Sequence, residues 1–215
     1  ARQRGNVVSR TETRGIININ EGELQKAACC NLSESFENSA TVDVSYSDAV
    51  TGAKQIQLLG LAGIYTQFLT ENIPNFRGLA TPYGLGYVPG SWMESIQVSK
   101  GTSSVINGYE SMAGQINIEY KKPDMGDKLF VNMYGNKDGK VEANITTSFE
   151  LGNNWSTAVL LHVEHFGVKR DFNNDSFLDM PLLNQINVFN RWKYKGKNLR
   201  FQFGIKYLNE ERIGG

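Results

Sequence analysis

The sequence predicts an α+β domain to about residue 123, followed by antiparallel strands of a transmembrane β-barrel. Three observations carry the second part of that prediction. From residue 129 onward, apolar and polar residues alternate with a period of two. The alternating runs reach roughly nine to eleven residues or more, the length a tilted strand needs to cross a bilayer. Aromatic residues (Trp155, Phe166, Trp192, Tyr194 and Tyr207) stand at expected strand ends, where an interfacial girdle would place them.

In the first half, residues 21–36 carry Leu24, Ala27, Ala28, Leu32 and Phe36 at spacings of three to four, which predicts a short amphipathic helix. β-like runs follow at residues 41–46, 55–61 and 93–100. Residues 64–89 are aromatic-rich and include Gly78, Gly84 and Gly86, a composition suited to strand ends joined by irregular loops. A last run at 115–121 is closed by Lys122-Pro123.

The second half is more regular. Val141, Ala143, Ile145, Thr147 and Phe149 share one face, against Glu142, Asn144, Thr146 and Ser148 on the other. Trp155, Thr157, Val159, Leu161 and Val163 oppose Ser156, Ala158, Leu160, His162 and Glu164. Leu199, Phe201, Phe203, Ile205 and Tyr207 oppose Arg200, Gln202, Gly204 and Lys206. Runs near 129–135 and 186–194 fit the same template less cleanly. Tight turns are expected at 153–154 and 195–198 and a long polar loop at 168–185. If the run from Leu129 leads outward, the tight turns all fall on the periplasmic side, as in outer-membrane barrels. An ordinary soluble antiparallel sheet offers the same alternation. The two readings differ in what Val159, Leu161, Phe201, Phe203 and Ile205 face: lipid in the barrel, a protein core in the soluble sheet. Five strands are fewer than the roughly eight of the smallest membrane barrels, so they are expected to belong to a longer polypeptide.

Composition removes other classes. With 22 basic and 22 acidic residues the formal net charge is zero, which lacks the positive field that nucleic acid binding requires. No apolar run approaches the roughly 18 to 20 residues of a membrane helix. Residues 1–5 are not followed by an apolar h-region, so no signal peptide is expected within this sequence. The two cysteines, Cys29 and Cys30, are adjacent and cannot staple distant segments.

The sharpest motif is Lys100-Gly101-Thr102-Ser103-Ser104-Val105-Ile106-Asn107-Gly108, continued by Ser111-Met112-Ala113-Gly114-Gln115-Ile116-Asn117-Ile118. A phosphate-cradling loop would end in Gly-Lys-Ser/Thr, and none is present. The segment resembles the end of the plug domain of TonB-dependent outer-membrane receptors, where a Gly-x-Ile-Asn strand leads into the barrel. Residues 32–36 resemble the plug's early helix. Residues 55–60 resemble a plug strand that often reads Ile-x-Ile-Arg-Gly, here without the arginine; 73–74 and 89–96 occupy the places of later plug strands. The resemblance spans nearly the whole chain, with a plug domain at 1–123 and the first barrel strands at 124–215. Its texture is nearest to Bacteroidetes-type receptors of the siderophore or cobalamin kind.

The resemblance implies a receptor of the bacterial outer membrane that imports a scarce solute (a metal-siderophore, haem, cobalamin or copper), with a plug that gates the barrel. It implies TonB and its inner-membrane energising complex, a small-molecule or metal-complex substrate and outer-membrane lipid as partners, with no nucleic acid and no catalytic residue. The segment that would contact TonB is not evident. The alternative is a soluble secreted β-rich binding or adhesion domain. On the resemblance, Arg77, Tyr83 and Tyr87 fall in a plug stretch that reaches outward, where aromatic and guanidinium groups can hold a planar or anionic ligand; packing against the barrel wall is the other reading. Asp171, Asn173, Asp175 and Asp179 carry oxygen ligands at alternating positions. An EF-hand would want glycine at Ser176 and glutamate at Leu182, leaving a looser calcium site in the 171–179 loop or Asx turns. The Cys29–Cys30 pair suits copper(I) or zinc, buried thiols or a vicinal disulfide. His162 and His165 point to opposite strand faces, with His162 beside Glu164.

Overall fold

The structure is a computed structural model and describes residues 7–8, 16–26, 31–36, 42–48, 50–103, 105–124 and 127–215. It divides into two compact units, one of Ala1–Asp48 with Ala53–Tyr120, the other of Ala49–Gly52 with Lys121–Gly215.

The first unit is built on β1 (Val7–Val8), β2 (Ile16–Asn20), α1 (Glu21–Lys26), β3 (Val42–Asp48), β4 (Ala53–Leu58), β5 (Thr66–Thr70), β6 (Ile73–Pro74), α2 (Thr81–Gly84), β7 (Met93–Lys100) and β8 (Gly114–Tyr120). Six strands form one sheet in the order β1-β2-β7-β8-β5-β6, and β3–β4 form a separate hairpin. β5 runs parallel to β8 while β2, β7 and β8 alternate in direction. Isoleucines at alternate positions of β2, β7 and β8 (Ile19, Ile96, Ile116, Ile118) are all at most 5% exposed. Trp92 packs edge-on against Tyr120, with ring centroids 6.1 Å apart and planes at 88°.

Two expectations change here. The helix expected over 21–36 is described only as α1 at Glu21–Lys26, with a one-turn helix at Glu34–Phe36. Asn31 separates them: its Oδ1 accepts the Ser33 and Glu34 N–H groups at 3.1 and 3.3 Å, and its backbone bridges to Pro89. A side chain that satisfies these amides starts a new turn. Within 64–89, β5 is a regular strand that simple alternation does not mark, because four of its five residues are buried. It turns into β6 through Glu71 (φ 53°) and Asn72 (φ 64°), the two left-handed residues of a type I′ hairpin.

The second unit is an antiparallel meander of β9 (Leu129–Gly135), β10 (Lys140–Leu151), β11 (Trp155–Phe166), β12 (Leu182–Lys195) and β13 (Arg200–Ile213), in spatial order β13-β12-β11-β10-β9. β10 and β11 are 12 residues long and β12 and β13 are 14, about 40 Å or more of extended chain. The connections at 152–154 and 196–199 are tight, as expected. The long loop is 167–181, shorter than expected because β12 begins at Leu182. The turn at 136–139 is also tight, although it lies at the same strand ends as the long loop. Asn136 closes it by accepting the Asp138 and Lys140 N–H groups, both at 3.0 Å. Short turns therefore occur at both ends of the meander.

Gly114 is required by packing. A Cβ there would stand 2.4 Å from the Ser99 carbonyl oxygen and 2.1 Å from Leu58 Cδ2, and backbone cannot move aside cheaply. Gly114→Ala is expected to destabilise the first unit by about 1–3 kcal/mol, read as a lower urea midpoint for its unfolding.

Candidate functional site

The polarity of the meander is inverted relative to a soluble sheet. Its polar side chains are the buried ones: Glu142 (1% exposed), Thr146 (2%), Asn187 (0%) and Arg191 (2%). Its apolar side chains face out, with Val141 at 50%, Phe201 at 50% and Ile205 at 66% exposure. A water-facing sheet would bury the second set and hydrate the first. This corrects the soluble-sheet alternative, because the exposed face is the apolar one.

An aromatic band marks one end of that outward face. Trp155 meets Tyr194 at 5.0 Å and Trp192 at 6.4 Å, and Trp192 stacks on Phe203 at 6.3 Å with planes 4° apart. Cross-strand register makes the band, pairing Trp155 with Tyr194 and Trp192 with Phe203. Two expected members do not belong. Phe166 is on the buried face at 4% exposure, and Tyr207 lies mid-strand because β13 continues to Ile213. Phe201 and Phe203 take their places.

In the first unit, Arg77 lies in the loop before α2. Its guanidinium pairs with Glu110, Nε standing 2.6 Å from Oε1 and Nη2 reaching the same oxygen. The guanidinium carbon is also 5.9 Å from the Tyr109 ring centroid. Gln67 ties the other side of the cluster, with Nε2 donating to the Asn107 carbonyl and, at 3.5 Å, to Glu110 Oε2. Gly108 (φ 127°) permits this approach: a Cβ there would lie 2.5 Å from Glu110 Oε2 and 2.6 Å from Gln67 Nε2. Around the cluster, Ile106 is 90% and Tyr109 82% exposed. The structure thus joins Arg77 to Tyr109 and Glu110, which link the 100–108 and 111–118 parts of the motif. Tyr83 and Tyr87 are half-buried, in α2 and in the one-turn helix Leu85–Tyr87. Tyr120 is fully enclosed, and burial pushes its hydroxyl well above the ordinary value.

The carboxylates of the 171–179 loop turn to their own backbone. Asp171 accepts the Asp175 and Ser176 N–H groups at 3.2 and 3.0 Å, and Asp175 accepts that of Phe177 at 2.8 Å. Asn173 accepts the Asp175 N–H at 3.2 Å, and Asp179 accepts the Phe172 N–H at 2.6 Å. The Asn173 and Asp175 bonds, each to the N–H two residues on, are Asx turns, and the others close the loop across four to seven residues. Cys29 and Cys30 lie outside the described residues.

Residues 9–115 match the family model described as TonB-dependent Receptor Plug Domain. With the inverted meander that follows, this settles the family. The chain belongs to the TonB-dependent receptors. It comprises the plug domain and antiparallel strands that match the N-terminal part of the receptor barrel. The pyoverdine receptor FpvA of Pseudomonas aeruginosa superposes with a TM-score of 0.79 at 15% identity, over 96% of this chain and 26% of that one. The ferric yersiniabactin uptake receptor FyuA of Yersinia pestis gives 0.73 at 13% identity, over 93% and 32%. The siderophore receptor PiuA of Acinetobacter baumannii gives 0.73 at 13% identity, over 93% and 27%. The chain therefore spans about a quarter to a third of the solved receptors it matches. No curated protein matches it by sequence.

The Arg77–Glu110 pair yields a pH dependence. Partial desolvation raises the Glu110 carboxyl, but the Arg77 hydrogen bond and charge outweigh it and hold the group below the usual carboxylate range. A depressed folded value contributes stability that is complete above the unfolded value of roughly 4.3 and disappears as pH falls through the folded one. Arg77→Ala is expected to return Glu110 toward its ordinary value and move that loss to higher pH, as read by carboxyl-selective NMR titration.

Proposed function

We propose that this chain is part of an outer-membrane active-transport receptor. It would import a metal–siderophore or comparable scarce metal complex, energised through TonB and its inner-membrane partners, with the plug gating passage. The observation that carries the reading is the inverted meander that follows a plug domain along the chain. An outward apolar face with a buried polar face is stable where the surroundings are hydrocarbon and the interior is polar. The solved relatives are siderophore receptors by their own descriptions, which favours an iron chelate among possible cargoes.

Within the plug, the cluster around Arg77 has the chemistry of a ligand contact. The Arg77 side chain is 51% exposed, positively charged and oriented by Glu110, and the exposed Tyr109 ring beside it provides a π-face. Such a pair suits a planar, anionic chelate. Uptake of radiolabelled ferric siderophores by cells that carry the full receptor, with and without TonB, tests the proposal. Uptake that requires both receptor and TonB is expected; uptake indifferent to TonB would overturn it.

The membrane placement makes a graded prediction. Ile205 lies two residues farther along β13 from the aromatic band than Phe203, and so deeper in the hydrocarbon. Ile205→Arg is expected to cost about 2–4 kcal/mol of folding stability in lipid vesicles, and Phe203→Arg less, because the penalty declines toward the interface. Urea titration of the refolded receptor gives both values.

A further inference from the structure

On the buried face of β10 and β11, register sets Glu142 directly opposite Glu164 and Asn144 directly opposite His162. Glu142, His162 and Glu164 each present a ligand atom, all within 4.8 Å of one another. Their exposures are 1%, 1% and 8%. Like charges directly opposite in an antiparallel pair repel, and burial removes the water that would screen them. Lys140 compensates for one charge, its Nζ standing 2.5 Å from Glu142 Oε1 and 3.1 Å from Glu164 Oε1. One ammonium is thus shared between two carboxylates. Glu142 Oε2 has no hydrogen-bond partner among the described residues.

The imidazole points the same way. Asn144 Nδ2 donates to Asn132 Oδ1 at 3.4 Å, which turns Asn144 Oδ1 toward the ring, 2.8 Å from His162 Nδ1. With Nδ1 turned to Asn144, Nε2 is the ring nitrogen that faces the carboxylates. Nε2 stands 3.6 Å from Glu164 Oε2, longer than a hydrogen bond. One ring nitrogen and two carboxylates thus converge within a few ångströms. A ring nitrogen held by an outer amide while the other faces carboxylates is the arrangement that orients a metal-binding histidine.

We propose that Glu142, Glu164 and His162 Nε2 form a site for a divalent first-row transition cation such as Zn²⁺. Asn144 is its positioning residue. Two carboxylates and one imidazole suit Zn²⁺; an all-oxygen set would suit Ca²⁺, and thiolates Cu(I). A divalent charge neutralises both carboxylates, and the flexible Lys140 stem lets its ammonium withdraw. Closing the donors onto a cation at about 2.0–2.2 Å requires side-chain rotation only, since the backbone register already aligns them.

The test uses the full receptor in detergent, stripped with a chelator and titrated with Zn²⁺ by calorimetry and with Co²⁺ by visible absorption. One equivalent should bind, with a Co²⁺ ligand-field spectrum that reports nitrogen and oxygen donors. Glu142→Gln and His162→Ala should lose that equivalent, Asn144→Ala should weaken it about 10–100-fold, and His165→Ala should keep it. Heat-modifiable gel migration establishes that each variant is assembled, and the wild-type Co²⁺ spectrum stands without any variant. A wild type that binds neither ion, or binding unchanged in assembled Glu142→Gln and His162→Ala, would overturn the site and leave an ion-pair network balanced by protons alone.

Discussion

The structure depends on one constraint: apolar surface must leave water, and in the meander most of it lies on the outward face. Each strand of β9–β13 carries one face that water disfavours and one that hydrocarbon disfavours, with no third surface available. A strand slipped by one residue would exchange the two faces completely. The continuous registers of β10 with β11, β11 with β12 and β12 with β13 keep every strand in phase. The aromatic band, the buried polar face and the Glu142–Glu164 opposition all follow from that shared phase. A membrane environment makes the arrangement favourable because strands satisfy their backbone hydrogen bonds laterally.

The plug domain solves a different problem, with a conventional apolar interior. Its central strands β7 and β8 bury isoleucines on one sheet, and β8 can lie between β7 and β5 only because Gly114 presents no Cβ to Ser99 and Leu58. The motif that carries the family resemblance is thus a packing requirement as much as a signature. The same stretch supplies Glu110, which pairs with Arg77, and Asn107, whose carbonyl accepts from Gln67. Core and candidate ligand contact are neighbouring parts of one connection.

Period-two alternation was legible for β10, β11 and β13 because each is long and exposes one face to each environment. β5 was not legible, since burial on both faces removes the alternation. The helix expected over 21–36 overlooked Asn31, whose capping bonds depend on a fold that also brings Pro89 alongside. Phe166 does end β11 but its parity turns it to the buried face, and Tyr207 falls mid-strand because β13 runs on to Ile213. Arg77, Tyr83 and Tyr87 could be named from residue type and their place in the resembled plug stretch, but the Glu110 partner of Arg77 is 33 positions away in sequence. His162 and Glu164 were visible on one face; Glu142 joins them only through cross-strand pairing, which no single segment displays.

The central claim, that the apolar face of the meander meets lipid, is tested most directly by scanning spin labels. Labels are placed one at a time at positions 200–207 of β13 in the full receptor, reconstituted in bilayers. Collision with dissolved oxygen, which concentrates in hydrocarbon, is compared with collision with a water-soluble nickel chelate. The account expects a period of two, with the positions of Phe201, Phe203 and Ile205 open to oxygen and shielded from the chelate. Equal accessibility at odd and even positions, or chelate access at the odd ones, would contradict it.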